Sequence, residues 1–483
     1  MINQNATTFN RQSTTRIIHL IVGPLLFCLC YFCLPSGFFE TAASRGAIGT
    51  IAWMAYWWIT GPVDFAVTGF LPIAINALFQ MCDMSLVIAN YADEIILLLL
   101  GASIITASWE ITGLDKRIAS VFLMLIGNNL RSQLIFWFIL TTVLSAVLPN
   151  AVVCASITPI AVSMLKYVGV EEVGKSRVGS MILLTIAYGA GVGGLASPLG
   201  GAMNLVTVQY LQQVTGEEFI YWHWVVRFLP IMIVLVVSNI IYLMLCCKKE
   251  DNLGESKSFF IEQYKSMGKM TRDEKWGLAL FVVATVLSFT RQLYQDILPG
   301  LKPAYVFIIC AICSFLIMQR DGKRLITWKS AQRKVVWDML YIFAGGLAAG
   351  TIMNETGAAK AIGKMMSSMN LDGGFVTILI IITVTVLMSD MTSNTATAAV
   401  ALPIVISIVQ GMNLNPIPYI YVATIGVNLS YMLPTSIRAI PVGYGLEPKF
   451  MLKRGVGMTV MVILLMTVLS WLLVEYWPAF STI

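Results

Sequence analysis

The sequence predicts an all-α polytopic membrane protein, with about eleven transmembrane helices and two re-entrant helical hairpins in an inverted repeat. Three observations carry this expectation. The chain is 58% hydrophobic and only 12% charged, about half the charge of a soluble domain. Two pairs of apolar runs, 133–148 with 151–165 and 375–388 with 398–409, meet at polar tips, and each run is shorter than the roughly 20 residues that cross a bilayer core. Polar and special residues recur at one fixed offset between the two halves of the chain. The net charge of +6 is no nucleic-acid signal, because the Lys and Arg residues sit mostly in loops between apolar segments.

In chain order, the apolar segments fall at about 17–34, 47–60, 63–81, 94–110, 180–197, 224–247, 277–290, 303–318, 335–353, 417–434 and 455–477. The first has no convincing small-residue cleavage site and reads as an uncleaved span. Lys248, Lys249, Lys257, Lys265, Lys269, Arg272 and Lys275 fill the longest hydrophilic loop, and Arg320, Lys323, Arg324, Lys329, Arg333 and Lys334 another. Lys116, Arg117 and Arg131 flank the first hairpin; Lys449, Lys453 and Arg454 precede the last span. Basic loops stay in the cytoplasm. Eleven spans with a cytoplasmic N-terminus put all of these inside and the C-terminus outside. The first hairpin then opens from the cytoplasm and the second from the opposite side. All nine cysteines lie in or beside apolar segments and read as buried thiols, the Cys310-x-x-Cys313 pair included. His19 and His223 have no partner at metal spacing and are expected to pack at the interface.

The loop 249–275 divides the chain into two related halves, 1–248 and 276–483. Thr112-Gly113-Leu114-Asp115-Lys116-Arg117-Ile118-Ala119 recurs 244 residues later as Thr356-Gly357-Ala358-Ala359-Lys360-Ala361-Ile362-Gly363. At the same offset Gly345 matches Gly101, Asn394 matches Asn150, Pro403 matches Pro159 and Ser407 matches Ser163. The Thr-Gly-x-x-Lys stretches read as amphipathic interfacial helices leading into each hairpin. Opposed entry makes this an inverted repeat, and secondary transporters place their site where such repeats meet, near the midplane.

In each half a hairpin tip is followed by a helix break. The first tip is Ser145 to Ala151 around Leu148-Pro149-Asn150-Ala151, and its break runs from Gly191 through Ser197-Pro198-Leu199-Gly200-Gly201 to Asn204. The second tip is Ser389-Asp390-Met391-Thr392-Ser393-Asn394-Thr395, and its break is Met432-Leu433-Pro434-Thr435-Ser436-Ile437-Arg438-Ala439-Ile440-Pro441. Non-helical backbone at membrane depth persists only where protein buries it or a watery cavity meets it. Such breaks free carbonyls for cations and N–H groups for anions, and an asparagine amide offers a donor and an acceptor. Arg438 is an intramembrane charge and so a functional candidate. Two readings are open for it: charge compensation of an anionic substrate, which is favoured, or a structural ion pair with Asp390. Asp390 is expected behind the tip, since an acid facing an anion would repel it. Glu94 and Glu110 lie near helix ends and read as interfacial. An intramembrane aspartyl protease is disfavoured, because Asp390 has no second aspartate placed to form a dyad, and no histidine stands near a candidate serine.

Thr392-Ser393-Asn394-Thr395-Ala396-Thr397, followed by Leu402-Pro403-Ile404, resembles the Ser-Asn-Thr signature of the divalent anion/sodium symporter family of di- and tricarboxylate transporters. The stretch 112–119 is also similar to a family segment, and the segment order covers nearly the whole chain. The resemblance implies a homodimer in the cell membrane whose protomers work as elevators, with a transport domain of about 94–212 and 336–446 moving against a scaffold made of the rest. Carried over by position, substrate would touch Asn150, Ala151, Gly201, Ser393, Asn394, Thr395, Ile437 and Arg438. Sodium would sit near Ser145, Asn150 and Gly200, and near Ser389, Thr392, Asn394 and Ser436. The chain departs from the pattern at Pro149-Asn150-Ala151 and Gly200-Gly201-Ala202-Met203-Asn204, and in having Arg438 where a Thr-Pro-Pro stretch is expected. One fixed cation is gained and hydroxyls are lost. The resulting expectation is a secondary active transporter of dicarboxylates of the succinate, malate and 2-oxoglutarate class. It needs no organic cofactor. Sodium-independent exchange is favoured, and sodium symport is the alternative.

Overall fold

A computed structural model of the chain describes residues 2–37, 39–123, 129–247, 256–319, 322–361 and 372–483, with side chains from residue 16. Lys248, Lys249, Arg320, Ile362, Gly363 and the first part of the 249–275 linker lie outside the described residues. The described chain is helical, with an isolated β-bridge between Met318 and Arg324.

The helices, in chain order, are α1 (Ile2–Cys33), α2 (Ala42–Thr60), α3 (Phe65–Thr68), α4 (Leu71–Phe79), α5 (Met84–Ala89), α6 (Glu94–Thr112) and the amphipathic α7 (Leu114–Leu123). The first hairpin follows as α8 (Leu130–Ser145) and α9 (Asn150–Tyr167), then α10 (Arg177–Gly194), the first break, α11 (Ala202–Thr215) and α12 (Tyr221–Leu245). After α13 (Ser256–Ser266) come α14 (Arg272–Phe289), α15 (Pro303–Leu316), α16 (Trp328–Ala331) and α17 (Trp337–Glu355). The second hairpin is α18 (Phe375–Met391) and α19 (Asn394–Gly411), followed by α20 (Pro416–Asn428), the second break, α21 (Ala439–Gly443) and α22 (Pro448–Tyr476).

Six helical stretches of the described chain are long and apolar enough to cross a bilayer alone, against the eleven spans expected from sequence. Two of the six are the returning helices of the hairpins, counted apart from the eleven, and some of the expected spans are interrupted. The expected span 63–81 is two short helices, parted where Gly69 meets the Tyr341 carbonyl so closely that a Cβ would collide with it. The spans expected at 180–197 and 417–434 end early, at Gly194 and Asn428. In both hairpins the returning helix is 18 residues long, among the six by length and composition, while the leading helix is shorter.

The sequence landmarks 244 residues apart carry the same local geometry. Thr112 and Thr356 each donate their hydroxyl to the carbonyl four residues back, and Gly113 and Gly357 each follow in the left-handed conformation, at φ 78° and 72°. Only glycine takes that conformation at no steric cost. Ser163 donates to the Pro159 carbonyl at 2.9 Å, and Ser407 to the Pro403 carbonyl at 2.6 Å. Each thereby covers a carbonyl within a proline-containing helix. Gly101 lets α6 cross the backbone of α15 at Phe307, and Gly345 lets α17 cross the backbone at Gly69. A side chain at either position would hold the helices apart.

Ion pairs gather at two groups of helix ends. One group holds Arg117–Glu274 at 2.7 Å and Lys334–Glu110 at 2.7 Å, with Arg177 on the Cys246 carbonyl. The other holds Lys302–Glu94 at 2.8 Å and Arg291–Glu218 at 2.9 Å, with Arg227 on the carbonyls of Ala479 and Thr482. Glu94 and Glu110 are thus half-exposed ion-pair partners at opposite ends of α6. His19 meets the Tyr56 hydroxyl at 2.7 Å, and His223 meets Gln292. None of the nine cysteines is in a disulfide; Cys154, Cys247 and Cys310 are buried as expected, whereas Cys28 and Cys33 are exposed on α1.

Candidate substrate and cation site

The first tip closes where α8 runs out of helix. Ser145, its last residue, donates its hydroxyl to the Ala190 carbonyl at 2.8 Å. Ala190 lies thirteen residues beyond the start of α10, about 20 Å at 1.5 Å per residue. Pro149 caps α9, so Asn150 is its first residue and sits at the positive end of that helix. The Asn150 amide is nearly buried and has no hydrogen-bond partner among the described residues. It lines a cavity of about 90 Å³ together with Ala151 and Gly201. Gly200 is packed so that a Cβ there would stand 2.5 Å from the carbonyl oxygens of both Ser145 and Gly194. Two backbone oxygens therefore converge where only a glycine leaves room. The break is held open by Asn204, whose amide donates to the carbonyls of Gly194 at 2.6 Å and Ser197 at 2.7 Å.

The second tip repeats the plan with a different filling. Asn394 is the first residue of α19, capped by Ser393, whose hydroxyl accepts from the Ala396 N–H at 3.0 Å. Ser389 lies 2.6 Å from the Val427 carbonyl and 3.0 Å from Asn394 Oδ1. Ser430 accepts a hydrogen bond from Arg438 Nη1, which leaves its own proton free for Asn394 Oδ1 at 3.2 Å. That chain from Arg438 through Ser430 fixes the Asn394 amide so that Nδ2 points away, and Nδ2 is buried with no partner in the described structure. Thr395 follows, buried within α19.

Arg438 itself is fully buried. Its Nε donates to the Leu433 carbonyl at 2.8 Å, Nη1 to the Ser430 carbonyl at 2.9 Å as well as to the Ser430 hydroxyl, and Nη2 to Thr435 Oγ1 at 2.8 Å, with the Ser389 carbonyl at 3.5 Å. A guanidinium has five N–H donors, and all five face protein oxygens. Asp390 lies 4.0 Å away and accepts the backbone N–H groups of Tyr431 and Met432 at 2.9 Å each. It stands behind the tip, tying the tip to the break. Of the two readings open for Arg438, this geometry matches the structural pair.

The remaining candidates are dispersed. Thr392 turns to the Thr397 hydroxyl at 2.7 Å. Ser436 is exposed, in the left-handed conformation at φ 51°, and makes no side-chain contact with the tip. Ile437 is buried, and its carbonyl receives Cys154 Sγ, one turn beyond Asn150, at 3.5 Å. Asn394 does not line the cavity that holds Asn150. Among the contacts that join the halves near the breaks are that of Cys154 with Ile437, the hydrogen bond from Asn428 Nδ2 to Asn204 Oδ1 at 2.9 Å, and that from the Tyr188 hydroxyl to the Tyr431 carbonyl at 3.1 Å. The sequence analysis did not single out Asn428 or Ser430, although each is a polar residue in the apolar run 417–434.

The model of the citrate transporter family matches residues 55–426 of the 483. The chain belongs to this family. The sodium-dependent dicarboxylate transporter SdcS of Staphylococcus saprophyticus is 27% identical to this chain over 448 residues, covering 89% of this chain and 86% of the relative. SdcS of Staphylococcus aureus strain NCTC 8325 is 28% identical over 472 residues, covering 92% and 90%. These matches place the chain among the di- and tricarboxylate transporters of the divalent anion/sodium symporter family, and it is a transporter rather than an enzyme. The fold is similar to that of the YdaH transporter of Alcanivorax borkumensis, with a TM-score of 0.51 at 11% identity over 81% of this chain and 88% of that one. It is also similar to MtrF of Neisseria gonorrhoeae, with a TM-score of 0.53 at 12% identity over 80% and 83%.

Proposed function

We propose that this member of the citrate transporter family carries a dicarboxylate dianion of the succinate, malate and 2-oxoglutarate class, coupled to sodium. The observation that carries the reading is the pair Asn150 and Asn394. Each opens the returning helix of a hairpin, at the positive end of that helix, with an amide donor that no described residue takes. A dianion has two carboxylates, and each tip offers one carboxylate an amide and a helix N-terminus. A hydrogen bond to a charged group is worth about 1.5–3 kcal/mol. Ala151, Gly201, Ser393 and Thr395 shape the surroundings.

Ser145, Asn150 and Gly200 suit a sodium ion as co-substrate, because the carbonyls of Ser145 and Gly194 converge beside Gly200. Hard cations take oxygen ligands of this kind. The preference for sodium-independent exchange is set aside here. It rested on Arg438 lending its charge to the substrate, and the guanidinium is instead fully engaged by protein oxygens. The relatives named as sodium-dependent dicarboxylate transporters point the same way.

The elevator reading is part of the proposal. The Asn150 cavity is lined on one side by Leu98, Ala102 and Gly201 from the transport domain, and on the other by Phe281 and Phe307 from the scaffold. It extends to Glu110 and Lys334, at the ends that carry the basic loops. Those loops make that side cytoplasmic, with the C-terminus outside, and the protein a homodimer in the cell membrane. Both tips contact their broken helices about 17–20 Å from the helix starts, a depth that suits half-membrane hairpins entering from opposite sides.

The test is uptake of labelled succinate into proteoliposomes. Uptake into empty vesicles is expected to rise at least tenfold when an inward sodium gradient replaces choline. Uptake that requires preloaded dicarboxylate and ignores sodium would overturn the coupling in favour of exchange.

A further inference from the structure

The geometry points to Arg438 as a built-in cation that fills the second half's cation position, so that sodium couples through the first half alone. This rests on the sodium-coupled reading above and refines its stoichiometry. A helix C-terminus leaves carbonyls without intrahelical partners and carries the negative end of the dipole. Where α20 stops at Asn428, the chain presents the carbonyls of Ser430 and Leu433 and the hydroxyls of Ser430 and Thr435, with the Ser389 carbonyl arriving from the tip. Such a cluster of oxygens around one point is what a sodium ion would need, and the guanidinium of Arg438 stands in it. Thr392 and Ser436, which would complete a sodium site there, are turned to Thr397 and exposed respectively. The residues at the second tip therefore do not fit an added cation.

The first half contrasts at the matching position. Ser145 meets Ala190 as Ser389 meets Val427, an offset of 237 at the broken helices, and the residue 237 positions before Arg438 is Gly201, which has no side chain. The carbonyls of Gly194 and Ser145 converge beside the neighbouring Gly200, and the side chain that steadies this break is the neutral amide of Asn204. Among the described residues no cationic side chain bonds to these two carbonyls, so they are left to a mobile cation, whereas the second break holds a permanent one, balanced by Asp390.

Sodium titration of succinate uptake in proteoliposomes tests this, with three proteins. For the wild type, activation is expected to be hyperbolic, with a Hill coefficient near 1. Gly200→Ala, which puts a Cβ against both carbonyls, is expected to raise the sodium concentration at half activation at least tenfold. The doubly neutralised Arg438→Gln/Asp390→Asn protein is expected to raise the Hill coefficient toward 2, because the oxygens are released to a second sodium. A sigmoidal wild-type curve with a Hill coefficient of 2 or more would overturn the assignment of Arg438 while leaving sodium coupling standing. So would a Gly200→Ala protein with unchanged sodium affinity, or a folded double variant whose coefficient stays at 1. Uptake independent of sodium would overturn both readings. The wild-type and Gly200→Ala curves decide the matter even where the double variant does not fold.

Discussion

Replacing Asn394 by aspartate is expected to lower sodium-driven succinate uptake by at least two orders of magnitude. The change removes the Nδ2 donor that has no protein partner. Losing a hydrogen bond to a charged group costs about 1.5–3 kcal/mol, or roughly 10–100-fold in affinity at 1.4 kcal/mol per decade. The new carboxylate also faces a dianion, and like charges in a partly desolvated site add to the loss. Asn394→Ala removes the donor and the Oδ1 that Ser389 and Ser430 meet but introduces no charge, so it is expected to retain more uptake than Asn394→Asp. Initial rates normalised to inserted protein give the comparison. Equal rates for the two variants would mean that no anion comes near this amide.

The second large effect is on folding. Arg438→Ala is expected to lower the melting temperature in detergent more than any tip substitution, and to leave little protein in the membrane. Removing one partner of a buried pair leaves an uncompensated charge, which typically costs 3–5 kcal/mol, against a whole-protein stability of about 5–15 kcal/mol. Here Asp390 would be that charge, and the carbonyls of Ser430 and Leu433 would lose their donors as well. Arg438→Lys keeps the charge but not the planar fork, so an intermediate loss is expected. Adding Asp390→Asn to Arg438→Ala is expected to recover part of the stability. Size-exclusion profiles and melting curves check this. A well-folded Arg438→Ala protein that binds no succinate would instead make the arginine a direct substrate ligand.

What the sequence reveals and what it hides follow one physical line. The hairpin tips were legible because polar residues between two short apolar runs have few explanations in a membrane chain, and because Asn150 and Asn394 share an offset with Gly101, Pro159 and Ser163. Those landmarks are local: a left-handed glycine, a hydroxyl on a proline-bearing turn, a close helix crossing. The partners of Arg438 were not legible. They are mostly backbone carbonyls, present at every residue, and only the stop of α20 at Asn428 brings them together. Asn204 and Asn428 meet across 224 residues for the same reason. The sequence also ran the span 63–81 unbroken through Gly69, because Gly69 interrupts an apolar stretch to admit another backbone, not to change polarity.

The central claim is that one dianion lies between the amides of Asn150 and Asn394. A cryo-EM map of the purified protein in sodium and succinate tests it most directly. The account predicts ligand density with one carboxylate at Asn150 Nδ2 and the other at Asn394 Nδ2, and with the Arg438 guanidinium still on the carbonyls of Ser430 and Leu433. Density seated on Arg438, or in the Asn150 cavity with no approach to Asn394, would contradict it.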